Sequence, residues 1–586
     1  MTHLGGEHPN GWLGRLARAA VAKPVATLLA AGLVSFLTAF LIVPILRSIG
    51  SGFLLNGSVS GYWFTRVMGN SILMGELANG LLLASATTAV SLVLAVPLAV
   101  LRARCSFRGL GVLGMLVMVP LILPPFVGAI SMKRLLGQFG VFNLILERIG
   151  IVDPHVGLPP DWLGSGFVGV VILQSLHLFP ILYLNASAAL ANVDPAYSQA
   201  ARNLGAGPLG VFRRITLPLI RPGLFAGGTI VFIWAFTDIG TPMIIGYENL
   251  TPVTIFQELA NADVSPRTYS LVFVMLSGSV TLYVLGKFLF GRPMAGESTK
   301  ATIAAETRKL GPIATCFAWL GFGGVIFLAI LPHVGVLLLG LADKWINTIL
   351  PETFTLRHLH FVITNPQTTS SIANSLRYAG LSTSIDIVLG MMAAWLIVRS
   401  KIYGKGVLDG LCMLPLAVPG LILAAGYVAM TAPGTWLESI GPTRNPFAIL
   451  VIAYAVRRLP FVVRGVSAGL QQVPESLEEA GRNFGASRLR AAVRITLPLI
   501  AANVIAAAVL TFAFAMLEVS DSLILAQTAE YYPITKQIFR LATSTGSPEA
   551  TNQAAAMGVY GMVLLGGTMG LASALLGRKL GTIFRA

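Results

Sequence analysis

Long uninterrupted apolar runs are the feature of this sequence that most restricts its fold. A helix that crosses a lipid bilayer needs roughly 20 mainly apolar residues, because every backbone polar group must be satisfied inside the segment. The runs predict twelve spans with approximate ends, at residues 25–46, 77–101, 110–132, 166–190, 223–245, 269–290, 313–341, 372–398, 406–430, 446–468, 501–524 and 556–577. The predicted fold class is therefore an all-α polytopic membrane protein.

The charged residues support this class and predict the orientation of the chain. Only 11% of the 586 residues are charged, against about 25% in a soluble protein. With twelve spans, 26 Lys and Arg residues fall on the side of the amino terminus, 11 on the other side and three within or beside helices. Lys and Arg concentrate in cytoplasmic loops. Both termini are therefore expected in the cytoplasm, and the net charge of +16 does not indicate nucleic-acid binding.

The first apolar run is expected to remain in the protein, preceded by a polar cytoplasmic segment at residues 1–24. The run is too long for the core of a signal peptide, and it lacks a clear cleavage site. The three cysteines, Cys105, Cys316 and Cys412, have no paired spacing. They predict neither a disulfide framework nor a metal cluster.

The sequence repeats itself once. Residues 199–220 and 479–500 are identical at 13 of 22 positions with an offset of 280, and residues 77–101 match 372–396 with an offset of 295. Both copies of the first segment follow an even number of predicted helices. We therefore expect two homologous six-helix domains of parallel topology at 25–290 and 312–586, joined by a cytoplasmic linker at 291–311, with the transport path at their interface.

The repeated segment predicts a short amphipathic docking helix on the cytoplasmic side. It begins with small side chains, which let another protein approach the backbone closely, and a glycine four residues later can end the helix in a left-handed cap. The residues are Gln199, Ala200, Ala201 and Gly205 in the first half and Glu479, Ala480, Gly481 and Gly485 in the second.

These residues resemble the signature of the inner-membrane permeases of binding-protein-dependent ABC importers, which have the type I importer fold. That signature is EAA, three residues, Gly, nine residues and I-x-L-P. The match continues through Ile215, Leu217 and Pro218 in the first half and Ile495, Leu497 and Pro498 in the second. Each half departs once from EAA, with Gln199 in place of Glu and Gly481 in place of the last Ala.

The resemblance implies a bacterial inner-membrane protein whose two loops are coupling helices. Each would sit in a groove of one of two copies of an ATP-binding subunit, and a periplasmic or lipid-anchored binding protein would deliver the solute. The chain has no G-x-x-x-x-G-K-[ST] phosphate loop. We therefore expect a transport subunit that is not an enzyme and binds no cofactor, with ATP bound by the partner subunit.

A few polar residues at membrane depth are candidates for the translocation path, because an Asp, Lys or Arg at mid-helix costs roughly 2.5–3.5 kcal/mol to insert. They are Asp238, Thr241, Glu518, Asp521, His177, Arg457 and Arg458. The acids could meet a cation or an amine, and the arginines an anion. Alternatively, the acids lie at the outer water boundary or bond neighbouring helices, the histidine packs between helices, and the arginines pair with Asp386 or Glu518.

The cargo stays open at this point. Fused two-domain permeases of this layout look most like ferric-iron importers, with 2-aminoethylphosphonate, thiamine, polyamine and inorganic-anion importers as relatives. Ferric iron is the leading expectation, and whether the chain holds a metal site is unknown. An ion-driven secondary transporter would not need two matched docking helices. An intramembrane enzyme would need a Ser/His pair or an H-E-x-x-H motif, and neither is visible.

Overall fold

The computed structural model describes residues 24–153, 157–260, 265–290, 307–400, 402–544 and 547–576. The predicted cytoplasmic segment, apart from Pro24, and residues 291–306 of the predicted linker lie outside these residues. The helices of the first half, α1 to α14 in chain order, are Pro24–Leu37, Val43–Gly52, Tyr62–Met68, Ser71–Arg104, Leu110–Leu116, Pro125–Leu136, Val141–Arg148, Phe167–Ala191, Pro195–Asn203, Pro208–Val211, Leu217–Thr237, Gly240–Ile245, Thr251–Ala260 and Pro266–Phe290.

The second half follows the same order, except that one helix takes the place of α1 and α2 and no α-helix of the described residues corresponds to α7. Its helices, α15 to α26, are Pro312–Leu341, Arg357–Thr364, Pro366–Val398, Lys405–Ala417, Gly420–Met430, Phe447–Gln472, Glu475–Asn483, Arg488–Ala491, Leu497–Met516, Ser520–Leu525, Ile534–Thr543 and Pro548–Leu576. The described strands form three two-stranded ladders, which are Leu54–Leu55 with Ser58–Val59, Cys105–Ser106 with Arg308–Lys309, and Ala342–Lys344 with Thr353–Phe354. The all-α class is confirmed.

Eight of the described helical segments are long and apolar enough to cross a membrane, and two bent helix pairs raise the number to ten. The other two predicted spans, 446–468 and 556–577, coincide with α20 and α26, which do not meet the same test. In α20 the apolar pattern is interrupted by Arg457, Arg458 and Arg464. The prediction of twelve spans is matched by twelve helical regions, and ten of them are long and apolar enough to cross a membrane within the part of the chain that was searched for such segments.

Prolines break the third span of each half at the same place. The pair Leu110–Ile122 and Pro125–Arg148 is bent by 94°, and the pair Lys405–Ala417 and Gly420–Met430 by 100°. Pro124 and Pro419 stand at the two breaks as N-caps of α6 and α19. Proline has no N–H to continue a helix and clashes with the preceding turn. The break is therefore encoded locally in both halves.

Small residues allow the fourth and fifth spans to pack closely in each half. A Cβ on Gly227 would lie 2.9 Å from Cβ of Asn185, and a Cβ on Gly465 would lie 2.7 Å from Cβ of Ala507. At an offset of 280, Gly227 corresponds to Ala507 and Asn185 to Gly465. Both halves therefore make the same contact, with the glycine on the fifth span in the first half and on the fourth span in the second. Close backbone approach at glycine is the usual way in which helices associate in lipid.

The first helix of each half packs against the other half. Tyr427 in α19 donates a hydrogen bond of 2.6 Å to the carbonyl of Phe40, and Ser131 in α6 donates one of 2.8 Å to the carbonyl of Pro332 in α15. Phe40 and Pro332 belong to the first helical region of their respective halves. The two domains predicted from the repeat therefore exchange their first helices in space.

Candidate functional site

The two docking helices predicted from the repeat are α9 and α21, and they have the same geometry. Each ends at a glycine in the left-handed region, with φ of 85° at Gly205 and 87° at Gly485. The amide of Ala206 donates to the carbonyl of Ala201 at 3.0 Å, and that of Ala486 to Gly481 at 3.1 Å. Glycine is the residue that takes this conformation without strain.

The tips of these two segments present apolar side chains to the exterior. Leu204 is 88% exposed and Phe484 is 95% exposed, at matching positions. The signature residues behind them share one burial pattern, with Gln199, Ala200, Gly205, Glu479, Ala480 and Gly485 exposed and with Ala201 and Gly481 half-buried. We call Pro195–Gly205 and Glu475–Gly485 the coupling segments, and the end of the molecule that carries them the coupling face.

The departure from EAA in the second half leaves room for a neighbouring side chain. A Cβ on Gly481 would lie 2.4 Å from Cδ1 of Ile495, so a larger residue at 481 would require this isoleucine to move. The segment also borders an open groove of about 640 Å³, lined by Glu479, Arg482, Asn483 and residues 485–488. An exposed helix tip beside a groove of this kind suits a protein partner.

The second half gathers four of the predicted path residues into one ion-pair cluster. Nη1 of Arg457 lies 2.6 Å from Oε1 of Glu518 and 3.2 Å from Oδ2 of Asp521, and Nη2 of Arg458 contacts Oε2 of Glu518. Glu518 and Asp521 are 3% and 0% exposed. The arginines lie in α20, and the acids follow α23, at the start of α24. The cluster therefore ties the fourth span to the break in the fifth.

Of the two arginine partners left open by the sequence, the structure selects Glu518. Asp386 in α17 is fully buried, and neither of its carboxylate oxygens has a hydrogen-bond partner. The guanidinium of Arg457 also fits against Gly420, because a Cβ there would lie 2.0 Å from Nη1. The absence of a side chain at Gly420 thus leaves room for this arginine.

The equivalent place in the first half has no arginine. Asp238 accepts a hydrogen bond of 3.1 Å from Nε2 of Gln174 and another of 3.1 Å from the amide of Gly240. Gln174 in turn accepts from Thr87 at 3.2 Å, and Thr241 is fully buried next to this network. The acids of both halves thus bond to a neighbouring helix, which was one of the alternatives for them.

His177 lies apart from these acids. Its Nδ1 donates to the carbonyl of Pro120 at 2.8 Å, and the ring lines a narrow apolar crevice with His333 of α15. The described residues contain no group of three or more His, Cys, Asp or Glu side chains that could hold a metal ion. The histidine contacts the exchanged first helix of the other half rather than the acid of its own half.

A seam between the halves closes the face opposite the coupling segments. The ring of Phe539 in α25 lies 6.1 Å from that of Phe256 in α13 and 6.3 Å from that of Phe126 in α6. Gln527 donates to the carbonyl of Leu259 at 3.3 Å. We call these contacts, together with Lys536, the outer seam.

Lys536 is a half-buried cation in this seam. Its Nζ donates to the carbonyl of Leu523 at 2.8 Å and lies 5.7 Å from the ring centres of both Phe256 and Tyr532. Loss of hydration on burial lowers the pKa of Lys536 to about 8. Lys536 is not among the site residues predicted from the sequence, although a lysine between two apolar spans is a signal for it. Gln174, whose repeat partner is the equally buried Tyr454, is also absent from that prediction.

Comparison with known proteins gives a match in both halves. The family model described as the inner membrane component of binding-protein-dependent transport systems matches residues 71–293 and 386–582. A ferric transport system permease protein of Actinobacillus pleuropneumoniae is 26% identical over 465 residues, which cover 78% of this chain and 65% of the relative. The match therefore spans just under two thirds of that relative.

Two further relatives differ in how much of the chain they cover. A putative ferric transport system permease protein of Haemophilus influenzae is 26% identical over 489 residues, or 82% of this chain and 75% of the relative. A probable molybdenum ABC transporter permease protein of Haloferax volcanii is 32% identical over 221 residues, or 37% of this chain and 77% of the relative.

Proposed function

The chain belongs to the family of inner membrane components of binding-protein-dependent transport systems, and we propose that it is the permease of an ATP-driven importer of ferric iron. A periplasmic or lipid-anchored binding protein delivers the iron at the outer seam. Two copies of an ATP-binding subunit dock on the coupling segments from the cytoplasm, where both termini of the chain also lie. ATP is bound and hydrolysed by those subunits.

The observation that carries this proposal is the matched pair of coupling segments. Both end in a left-handed glycine and present one large apolar side chain, Leu204 or Phe484, that is at least 88% exposed. Covering such side chains with a partner lowers the free energy by roughly 25 cal/mol per Å² of buried apolar area. A dimer of identical ATP-binding subunits fits two such tips at pseudo-equivalent positions.

The choice of cargo rests on the length over which the relatives align. The two relatives that cover 78% and 82% of this chain have ferric transport in their names. The molybdenum relative covers 37% of this chain. Resemblance through both halves favours ferric iron over molybdenum as the cargo.

Seven polar residues remain our proposed lining of the path, with different roles. Asp238 and Thr241 offer oxygen atoms, which hard cations prefer as ligands, and no arginine neutralises Asp238 in the network described above. Arg457, Arg458, Glu518 and Asp521 neutralise one another and hold the helix break at the edge of the path. His177 supports the wall from the crevice under the exchanged helix.

A binding experiment with the coupling segments tests the proposal. The chain is co-purified with its ATP-binding subunit, and the retained subunit is quantified for Gly205→Val and Gly485→Val. Both positions have open space around an added Cβ, so a valine meets no neighbouring atom. The positive φ at each position strains the valine backbone by about 1–3 kcal/mol, and this strain changes the local backbone. Each is expected to reduce the retained subunit at least fivefold.

Gly434→Val is the matched control. Gly434 has φ of 81° and open space around an added Cβ, but it lies in the loop after α19, away from the coupling segments. This variant should retain the subunit as the unaltered chain does. Equal retention by all three variants would contradict docking at the coupling segments. Transport without any ATP-binding subunit would favour an ion-driven carrier.

A further inference from the structure

The two coupling segments differ in whether they take part in the contact between the second span and the start of the fifth. In the first half, Arg104 at the end of α4 donates from Nη2 directly to Oγ1 of Thr216. In the second half, the matching residues are Arg399, at the end of α17, and Thr496. There a carboxylate stands between them, because Glu478 accepts from Oγ1 of Thr496 at 2.7 Å and lies 3.7 Å from Nε of Arg399.

The difference is encoded in the coupling segments themselves. At an offset of 280, Ser198 takes the place of Glu478 and Pro195 the place of Glu475. The first segment therefore offers no carboxylate at either position. Because arginine and threonine are the same in both halves, the acids of the second segment are what distinguishes the two contacts.

Arg399 is held firmly enough to act as an anchor. Its side chain is 9% exposed, and Nη2 donates to the carbonyls of Leu470, at 3.0 Å, and Val473. Both carbonyls belong to the end of α20 and the turn that leads into α21. Guanidinium groups with several fixed acceptors lose little freedom in each bond that they make.

Glu478 is the less exposed of the two acidic partners of Arg399. Its side chain is 22% exposed, compared with 57% for Glu475, whose Oε1 lies 3.4 Å from Nη1 of Arg399. Exposed ion pairs contribute little because water screens them. Glu478 also bonds Thr496, which immediately precedes α23. It thus connects the coupling segment to the second span and the fifth span together.

We propose that Glu478 and Arg399 are positioning residues that make the second coupling segment a rigid lever on spans two and five, whereas the first segment transmits motion without an ionic link. This inference rests on the proposed function, because the lever acts on motion that an ATP-binding subunit applies. The two halves then respond unequally to the same ATP-driven step.

Cross-linking across the outer seam measures this transmission without knowledge of the cargo. Ala260→Cys and Gln527→Cys are introduced together, since Gln527 reaches the backbone next to Ala260. The chain, assembled with its ATP-binding subunits, is treated with a short thiol cross-linker, with and without ATP and vanadate. ATP with vanadate should lower the cross-linking yield, because the two sides of the outer seam move apart. Glu478→Gln should reduce this response at least threefold, and Arg399→Lys should reduce it less than Arg399→Gln.

The control is Asp409→Asn, which breaks the ion pair of 3.4 Å between Asp409 and Arg464 in the same half. A full response in this variant, beside a reduced one in Glu478→Gln, supports the lever. Equal responses in both variants, whether full or reduced, overturn it and leave the importer standing. If the unaltered chain itself shows no response to nucleotide, the proposed function fails, and the lever fails with it.

Discussion

Arg457 and Glu518 lie on successive spans of the second half, with 2.6 Å between Nη1 and Oε1. Their matching positions in the first half are occupied by His177 and Asp238, which do not form such a pair. The proposed path therefore has an ion pair on one side and a hydrogen bond from Gln174 to Asp238 on the other.

Breaking this pair should destabilise the protein strongly. Arg457→Met leaves a buried carboxylate without its closest cation, and removal of one partner of a buried ion pair costs about 3–5 kcal/mol. Thermal unfolding in detergent should show a lower midpoint for Arg457→Met and for Glu518→Gln. The midpoint of the double variant should fall by less than the sum of the two single losses. Strict additivity would show that the pair does not contribute as a unit.

Gly420 should not tolerate alanine. An added Cβ would lie 2.0 Å from Nη1 of Arg457, so the guanidinium must move, and overpacking of this kind costs about 1–3 kcal/mol. Gly410→Ala, in α18 with open space around the new Cβ, is the control. The midpoint of thermal unfolding should fall for the first variant alone. A similar midpoint for both variants would mean that Arg457 does not fill this space.

Lys536→Met should stabilise the protein below pH 8 and lose this effect as the pH rises. Burial lowers the pKa of Lys536 to about 8, whereas an unfolded lysine titrates near 10.4. At low pH both states are protonated, so the folded state carries the full cost of the buried charge, up to about 3 kcal/mol. That cost fades between pH 8 and about 10.4, as the folded-state lysine loses its proton.

Thermal unfolding of Lys536→Met and of the unaltered chain, measured from pH 7 to pH 10.5, checks this sign. Lys405→Met, at an exposed lysine, should leave the unfolding midpoint unchanged throughout. A difference for Lys536→Met that stayed constant with pH would indicate lost packing rather than a buried charge.

The sequence predicted the features whose determinants are local. The left-handed Gly205 and Gly485 and the exposed coupling segments each depend on a few adjacent residues. The breaks of the third spans at Pro124 and Pro419 were not predicted, although their signal is equally local. The resemblance read from the two motifs is confirmed by the family match to residues 71–293 and 386–582. The domain limits and the residues of the path stay predictions.

Other features depend on contacts that no local pattern encodes. Tyr427 and Phe40, whose hydrogen bond fixes the exchanged first helix, are 387 positions apart. The choice of Glu518 over Asp386 depends on how α17, α20 and α23 are rotated about their axes. Such rotations are set by packing at glycines, as between Gly465 and Ala507, and apolar runs without an amphipathic pattern do not reveal them.

ATP hydrolysis in liposomes decides whether the chain is the permease of a ferric-iron importer. The chain is reconstituted with its ATP-binding subunit, and hydrolysis is measured with its binding protein, either free or loaded with ferric iron. We expect the iron-loaded form to stimulate hydrolysis severalfold and to drive iron uptake, and we expect Gly205→Val with Gly485→Val to abolish both while Gly434→Val does not. Hydrolysis that does not respond to the loaded binding protein, or iron uptake that persists in the coupling-segment variants, would contradict this function.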